Sequence, residues 1–438
     1  MTISDLGQRL RARELSVREL TAETLLAVHR ANSNLNAFIT IMDGHALERA
    51  DQLDAMLARG EDLGPLHGIP IAHKDCILTK GVLTTGGSKI FSDYVPDHDA
   101  EVVQRLHAAG AVTIGKTGLH EFTAGISNIN PHYGPVHNPH DLTRVSGGSS
   151  GGSGAAVAAG LVAAATGTDT GGSIRIPASF CGCVGLKPTY DRVSREGVMA
   201  LGPTQDHVGP LTRTVADAAL LFGVMAGVAQ SSVEGSVDGL RIGVPENYFW
   251  DNLAPDVRFW ARGAVQVIGA LGAKPREVRV PDVAPLMQIA RVTLLCELAS
   301  TIGQHSSRKR DFGDDVWALI EQGKAISAVD YLTAQATRQE LAQEFAQLWT
   351  GLDLLMMPTT PITAFPIDTR EDLRPETTRL TRPFNLLGWP ALSLPCGVSS
   401  EGMPIGVQLV AAPGREDILF RAGAAIETAL KLNPMPKR

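Results

Sequence analysis

Residues 146–188 read SGGSSGGSGAAVAAGLVAAATGTDTGGSIRIPASFCGCVGLKP, and no other stretch limits so strongly what the chain can fold into. Two glycine-serine clusters, GGSSGGS at 147–153 and GTDTGGS at 167–173, flank an apolar, alanine-rich segment. Glycine at this density marks backbone that turns through positive φ or passes close to another group. Successive free N–H groups in such turns form a concavity that holds anionic oxygen. The segment between the clusters has the make-up of one short helix and one strand. Two serines on two tight turns are therefore held by rigid core, where a flexible Gly/Ser linker would have a polar, unpatterned interior.

The remaining chain supplies a core large enough to hold such turns. It has 438 residues, 44% hydrophobic and 19% charged, and reads as a single domain over 1–438. A helical layer is expected at 1–60 and a variable, mostly helical segment at about 240–350. The net charge of −7 and the lack of a long Lys/Arg run argue against a nucleic-acid partner. Five cysteines, an odd number without a C-x-x-C pair, fit a reducing compartment and neither a disulfide framework nor a zinc site. The opening MTISDLGQRLRARELS has no apolar signal core and reads as a capped amphipathic helix. The longest charge-free run, between Arg144 and Asp169, is too rich in Gly and Ser to span a membrane. The expectation is a cytoplasmic protein with no membrane partner.

In chain order, Ser16 and Glu19 form a capping box that opens a helix to about Arg30, and a second amphipathic helix covers 46–59. The run LHGIPIAHKD then reads as a buried strand over 69–72 with His73, Lys74 and Asp75 at its carboxyl end. A helix at 101–109 and a strand at 111–114 precede the glycine clusters. Helix and strand in alternation point to an α/β fold with a mixed or parallel sheet, which carries its sites at strand carboxyl ends. Further on, the patterning gives a helix at 215–225, a linker at 226–239, a strand at LRIGVPE and a helix at 255–271. It continues with helices over 283–349, strands within LDLLMMPTTP, at 391–395 and at 405–410, and a last helix at 415–430.

Three motif matches fail on context. Residues 110–117, GAVTIGKT, satisfy the P-loop pattern, but a helix precedes them and the would-be loop is β-branched strand material. G-x-S-x-G occurs at Ser149 and at Ser150; a Ser-His-Asp hydrolase, which stays the runner-up mechanism, would need an acid and a histidine downstream, and only His207 and His305 follow. His120-Glu121 has no second histidine four residues on, so zinc-protease chemistry is absent.

A serine nucleophile needs a proton acceptor and an oxyanion site, and a lysine kept neutral by burial can be the acceptor. Lys74 at the end of an apolar strand is such a candidate; its plainer reading is a surface lysine paired with Asp75. GIPIAHKD, GGSSGGSGAAVAAG and GTDTGGSIRIPASFCGCVGLKPTYDRVS resemble the signature blocks of the amidase signature family, whose members hydrolyse amide carbon–nitrogen bonds. GAVTIGKT, HNPHDLTRVSGG, HVGPLTRTVADAALL, DLLMMPTTP, NLLGWPALSLPCG and PIGVQLVA extend the resemblance over most of the chain.

The resemblance implies a large mixed β-sheet flanked by helices on both sides and no metal or organic cofactor. It makes Ser173 the acylated nucleophile, Ser149, after a cis peptide bond, the proton relay, and Lys74 the terminal base. It places the oxyanion on the backbone N–H groups of Thr170, Gly171, Gly172 and Ser173, and the backbone of Thr123 toward substrate. Arg175 and Asp169 read as a brace for the loop, Ser150 and Ser153 as helix-start hydrogen bonders, and Cys181 and Cys183 as buried small residues. Phe384, Asn385 and Trp389 are candidates for the pocket wall or the core. Asp191 stands where the family commonly has glycine, which puts specificity in question through a loop near the acyl pocket. The expected partner is a small-molecule amide, hydrolysed to carboxylate and ammonia or amine, by a chain acting alone or as a homodimer. The alternatives are the glutaminase subunit of a tRNA-dependent amidotransferase, which would be a heteromer, and a hydrolase of biuret-type ureides. A non-enzymatic binding role is the third class.

Overall fold

The computed structural model describes residues 2–431, and its centre is one mixed sheet of eleven strands. In chain order the strands are β1 (Phe38–Ile41), β2 (Pro70–Lys74), β3 (Val112–Thr117), β4 (His137–Asn138), β5 (Asp141–Val145), β6 (Ala164–Asp169) and β7 (Val184–Lys187). There follow β8 (His207–Thr212), β9 (Arg241–Pro245), β10 (Lys274–Val278), β11 (Leu354–Pro358), β12 (Ala391–Val398) and β13 (Pro404–Val410). The order across the sheet is β1-β3-β2-β6-β8-β7-β12-β13-β11-β9-β10, while β4 and β5 pair separately. β2 is parallel to both β3 and β6, and β9 is parallel to β10 and β11; the other pairs are antiparallel. The central strands β2, β6, β7, β8, β11 and β13 are buried along their whole length, as expected of a sheet covered by helices on both faces.

The expected elements are present with boundaries moved by a few residues. Ser16 and Glu19 make a reciprocal capping box, but the helix they open runs on through Val17–Leu35 and ends at Asn36 in the left-handed region. The helices Asp43–Ala58, Glu101–Ala108, Val215–Ala226, Pro255–Ala270 and Glu416–Leu430 match the patterning. The helix Gly151–Ala158 begins within the first cluster and strand β6 ends within the second, so the two elements join the clusters. The first sixty residues are not wholly helical: β1 adds to the sheet edge, antiparallel to β3. The 240–350 segment is not helix alone either, because β9 and β10 extend the sheet at the far edge.

Packing around the serine turns explains the glycines. A Cβ on Gly152 would stand 2.4 Å from the Gly118 nitrogen and 2.5 Å from the Ala37 carbonyl oxygen, so only glycine lets this helix lie backbone to backbone on that loop. The helix Ala284–Thr301 packs on Asp314–Lys324 and Ala328–Ala346 and carries residues of the cavity that Ser173 lines, so the helical segment covers one face of the site. Among the described residues no single helix is long and apolar enough to cross a membrane.

Candidate active site

Lys74 ends β2, and the TGGS turn follows the last residue of β6, its parallel neighbour. Both groups therefore sit at strand carboxyl ends on the same side of the sheet. The Lys74 side chain is fully buried. Its Nζ donates to Ser149 Oγ at 2.8 Å and to Thr168 Oγ1 at 2.8 Å. Burial pushes its pKa down from 10.5 to about 8, and the nearby Cys76, Asp169 and Asp206 oppose that shift. Lys74 is not paired with Asp75. That carboxylate accepts from the Thr85 hydroxyl at 2.5 Å and stands 3.6 Å from Lys116, the lysine of the rejected P-loop pattern. Lys116 lies in β3 and donates to the Ile77 carbonyl at 2.6 Å and the Thr84 hydroxyl at 2.7 Å, which makes it a structural cation.

Ser149 follows a cis Gly148–Ser149 peptide bond and is fully buried. Ser173 is 7% exposed and lines a cavity of about 370 Å³ together with Thr123, Thr170 and Gly171. The two serine turns are joined by the Ser150 N–H, which donates to the Ser173 carbonyl at 3.1 Å. Among the described residues the Ser173 hydroxyl has no hydrogen-bond partner, so the geometry ties Lys74 to Ser149 directly and leaves Ser173 facing the cavity.

The turn is held by Asp169. Its carboxylate accepts from the Gly172 N–H at 2.7 Å and the Ile174 N–H at 3.1 Å, and pairs with Arg175 through two contacts of 3.0 Å. Burial alone would raise the Asp169 carboxyl; the Arg175 guanidinium outweighs it and keeps the group well below the usual carboxylate range. Asn385 donates to the same carboxylate at 2.8 Å and accepts from Arg175 at 2.6 Å. Gly172 has φ +132°, and a Cβ there would lie 2.3 Å from Thr381 Oγ1. Its N–H is committed to Asp169, whereas those of Thr170, Gly171 and Ser173 have no protein acceptor among the described residues.

Other sequence expectations fall in different places. Phe122 and Thr123 have φ of +48° and +61°, a left-handed pair of non-glycine residues, and Thr123 lines the cavity. Ser150 is the N-cap residue of the helix but its hydroxyl makes no capping bond; Ser150 and Ser153 donate instead to the Thr168 and Thr166 carbonyls at 3.1 and 2.9 Å and lash the helix to β6. Cys181 and Cys183 are buried free thiols. Phe384 and Trp389 are core residues, Phe384 stacking on Phe249 at 5.5 Å. Asp191 has φ +60°, a conformation that suits glycine, but it does not line the Ser173 cavity; it is exposed and pairs with Arg195 at 2.7 Å. Neither downstream histidine reaches a cluster serine: His207 Nδ1 is bonded to the Gln205 carbonyl at 2.7 Å, and the His305 ring packs on Phe91.

Thr168 and Arg382 were missed. Thr168 had a signal, because Thr166, Thr168 and Thr170 alternate along β6 and its extension and face polar partners in His73, Lys74 and Asp206. Arg382 had none, since only the fold brings it beside Gly171. Among the described residues no group of three or more His, Cys, Asp or Glu side chains could hold a metal ion.

The model of the amidase family matches residues 19–420. The chain is 38% identical to the A subunit of the glutamyl-tRNA(Gln) amidotransferase of Koribacter versatilis (strain Ellin345), over 98% of each chain. It superimposes with a TM-score of 0.93 on a crystal structure of an amidase, at 36% identity over 98% of this chain and 100% of that one. A TM-score of 0.94, at 36% identity over 98% of each chain, relates it to a protein from a vestigial complex described as revealing the evolutionary origins of an s-triazine catabolic enzyme. The expected mixed sheet flanked by helices is thus the fold of solved amidases, and the chain belongs to the amidase signature family, as an enzyme acting on carbon–nitrogen bonds.

Proposed function

We propose that the protein hydrolyses a small linear amide through an acyl-enzyme on Ser173, with Ser149 as relay and Lys74 as base. The observation that carries this reading is the 2.8 Å contact between Ser149 Oγ and a Lys74 amine so deeply buried that its pKa falls to about 8. In its neutral form Lys74 takes the Ser149 proton while Ser149 takes that of Ser173, and Ser173 Oγ bonds to the amide carbon. The oxyanion is received by the uncommitted N–H groups of Gly171 and Ser173, with Thr170 beside them. Gly172 shapes the turn and its N–H remains with Asp169. Collapse breaks the carbon–nitrogen bond, and the leaving nitrogen regains the proton from Lys74 through Ser149. Water then attacks the acyl carbon, gives its proton to the same relay, and frees the carboxylate. Thr123 contributes its strained backbone to the cavity wall, where substrate would lie.

The second reading is the glutaminase subunit of an amidotransferase, and the name of the Koribacter relative favours it. The s-triazine-related structure, described as a protein complex, favours a heteromeric state in the same way. A panel of glutamine, aliphatic amides, aryl amides and biuret-type ureides, assayed for ammonia or amine release by the isolated chain, separates these. The amidase reading expects turnover of simple amides without a partner, falling about 10²–10⁴-fold in Lys74→Ala. Wild-type turnover in both Lys74→Ala and Ser173→Ala would refute the mechanism. Activity on glutamine only after co-purifying proteins are added would favour the amidotransferase.

A further inference from the structure

The Ser173 cavity carries more positive charge than amide hydrolysis uses. Arg291, Arg374 and Arg382 line it against one carboxylate, Asp372. Asp372 is committed to Arg374 by contacts of 2.9 and 3.1 Å, and Arg291 donates to the Gln322 amide oxygen at 2.6 Å. Arg382 differs from both in its pairing: its Nε is buried without a hydrogen-bond partner, as is Arg374 Nη1, but among the described residues no carboxylate pairs with the Arg382 guanidinium, whereas Arg374 holds Asp372. Burial, together with the nearby Arg291 and Arg374, pushes its pKa down to about 10, with Tyr248 opposing. It therefore stays charged at neutral pH.

A partly buried cation without a counter-charge is costly, and a guanidinium is the side chain whose planar fork matches a carboxylate. Arg382 also stands beside the reacting turn. A Cβ on Gly171 would lie 3.1 Å from Arg382 Nε, and the adjoining Thr381 hydroxyl donates to the Gly171 carbonyl at 2.7 Å. An anion held by Arg382 is thus only a few bonds from a carbonyl held by that turn. Leu294, Leu298 and Leu319 furnish an apolar wall for the intervening carbons.

We infer that the substrate is an amide bearing a carboxylate a short chain away from the scissile carbonyl, and that Arg382 is the residue that selects it by pairing with that carboxylate. The inference rests on the Ser173 centre proposed above for the position of the carbonyl. The test uses malonamate, succinamate and glutaramate against the neutral isosteres malonamide, succinamide and glutaramide, together with calorimetric binding of the corresponding dicarboxylates. The wild-type enzyme is expected to prefer at least one acid monoamide over its diamide. In Arg382→Ala, and in Arg382→Gln should the alanine variant not fold, the kcat/KM ratio of monoamide to diamide should fall about 10- to 100-fold. Dicarboxylate binding should weaken by the same factor, and Arg382→Lys should restore part of it. An unchanged ratio with unchanged dicarboxylate binding would overturn the inference while leaving Ser173 catalysis standing. Arg382-dependent dicarboxylate binding without turnover of any amide would instead uphold the anion site and refute the hydrolytic reading.

Discussion

Lys74 Nζ lies 2.8 Å from Thr168 Oγ1, a hydroxyl on the parallel strand next to its own. A lysine with two hydroxyl partners and, among the described residues, no direct carboxylate partner is oriented without being locked into its charged form. The Thr168 acceptor nonetheless favours the ammonium, because a hydrogen bond to the charged form raises the pKa.

Replacing Thr168 by the near-isosteric valine should accordingly act on the pH profile. The free base of Lys74 grows as pH rises through its pKa of about 8, so kcat/KM of the wild type should climb across the neutral range and level off above that value. In Thr168→Val the acid limb should move to lower pH, and kcat on the plateau should fall about tenfold as the amine loses its orientation. The check is kcat/KM from about pH 5 to 9.5 for both proteins; coincident limbs would separate Lys74 from the pH dependence.

The Arg175–Asp169 pair, buried on both sides with contacts of 3.0 Å, braces the nucleophile turn. Arg175→Leu leaves a buried carboxylate with only backbone N–H groups and Asn385 for company. It should cost about 3–5 kcal/mol in urea unfolding, and a loss under about 1 kcal/mol would mean that those remaining donors suffice.

The two serine turns and the buried strand before Lys74 could be recognised in the sequence because glycine spacing and apolar runs are local signals. So could most helices, whose caps and 3.6-residue periodicity are local as well. What escaped depends on pairing. β1 is four residues between two helices, and β10, KPREV, is a polar edge strand whose only partner among the described residues is β9. Asp191 reads as a specificity determinant because it stands where the family commonly has glycine, and its φ does suit glycine, but its side chain turns to Arg195 and solvent. Thr168 required knowing that β6 runs parallel to β2, and Arg382 required knowing that a distant segment folds against Gly171.

Glu427 gives a stability prediction with a definite sign. Burial raises its pKa from 4.5 to about 7, although it accepts from the Val215 N–H at 3.0 Å. The folded state therefore binds a proton that the unfolded state has lost between those two values, and stability contributed by this group falls as pH rises through that window. Glu427→Gln keeps the acceptor and removes the charge. It should be more stable than wild type by about 1–3 kcal/mol near pH 8, with little difference near pH 4. Parallel stability curves for the two proteins across roughly pH 4–8 would show that the carboxyl is solvated in the native state.

The identity of the nucleophile is the most exposed part of the account. A slowly hydrolysed aryl amide, quenched during steady-state turnover and analysed by intact mass and peptide mapping, should leave one acyl group per chain on Ser173. That adduct should be absent from Ser173→Ala and should form far more slowly in Lys74→Ala. An acyl group on Ser149 or Ser150, or undiminished acylation in Ser173→Ala, would contradict it.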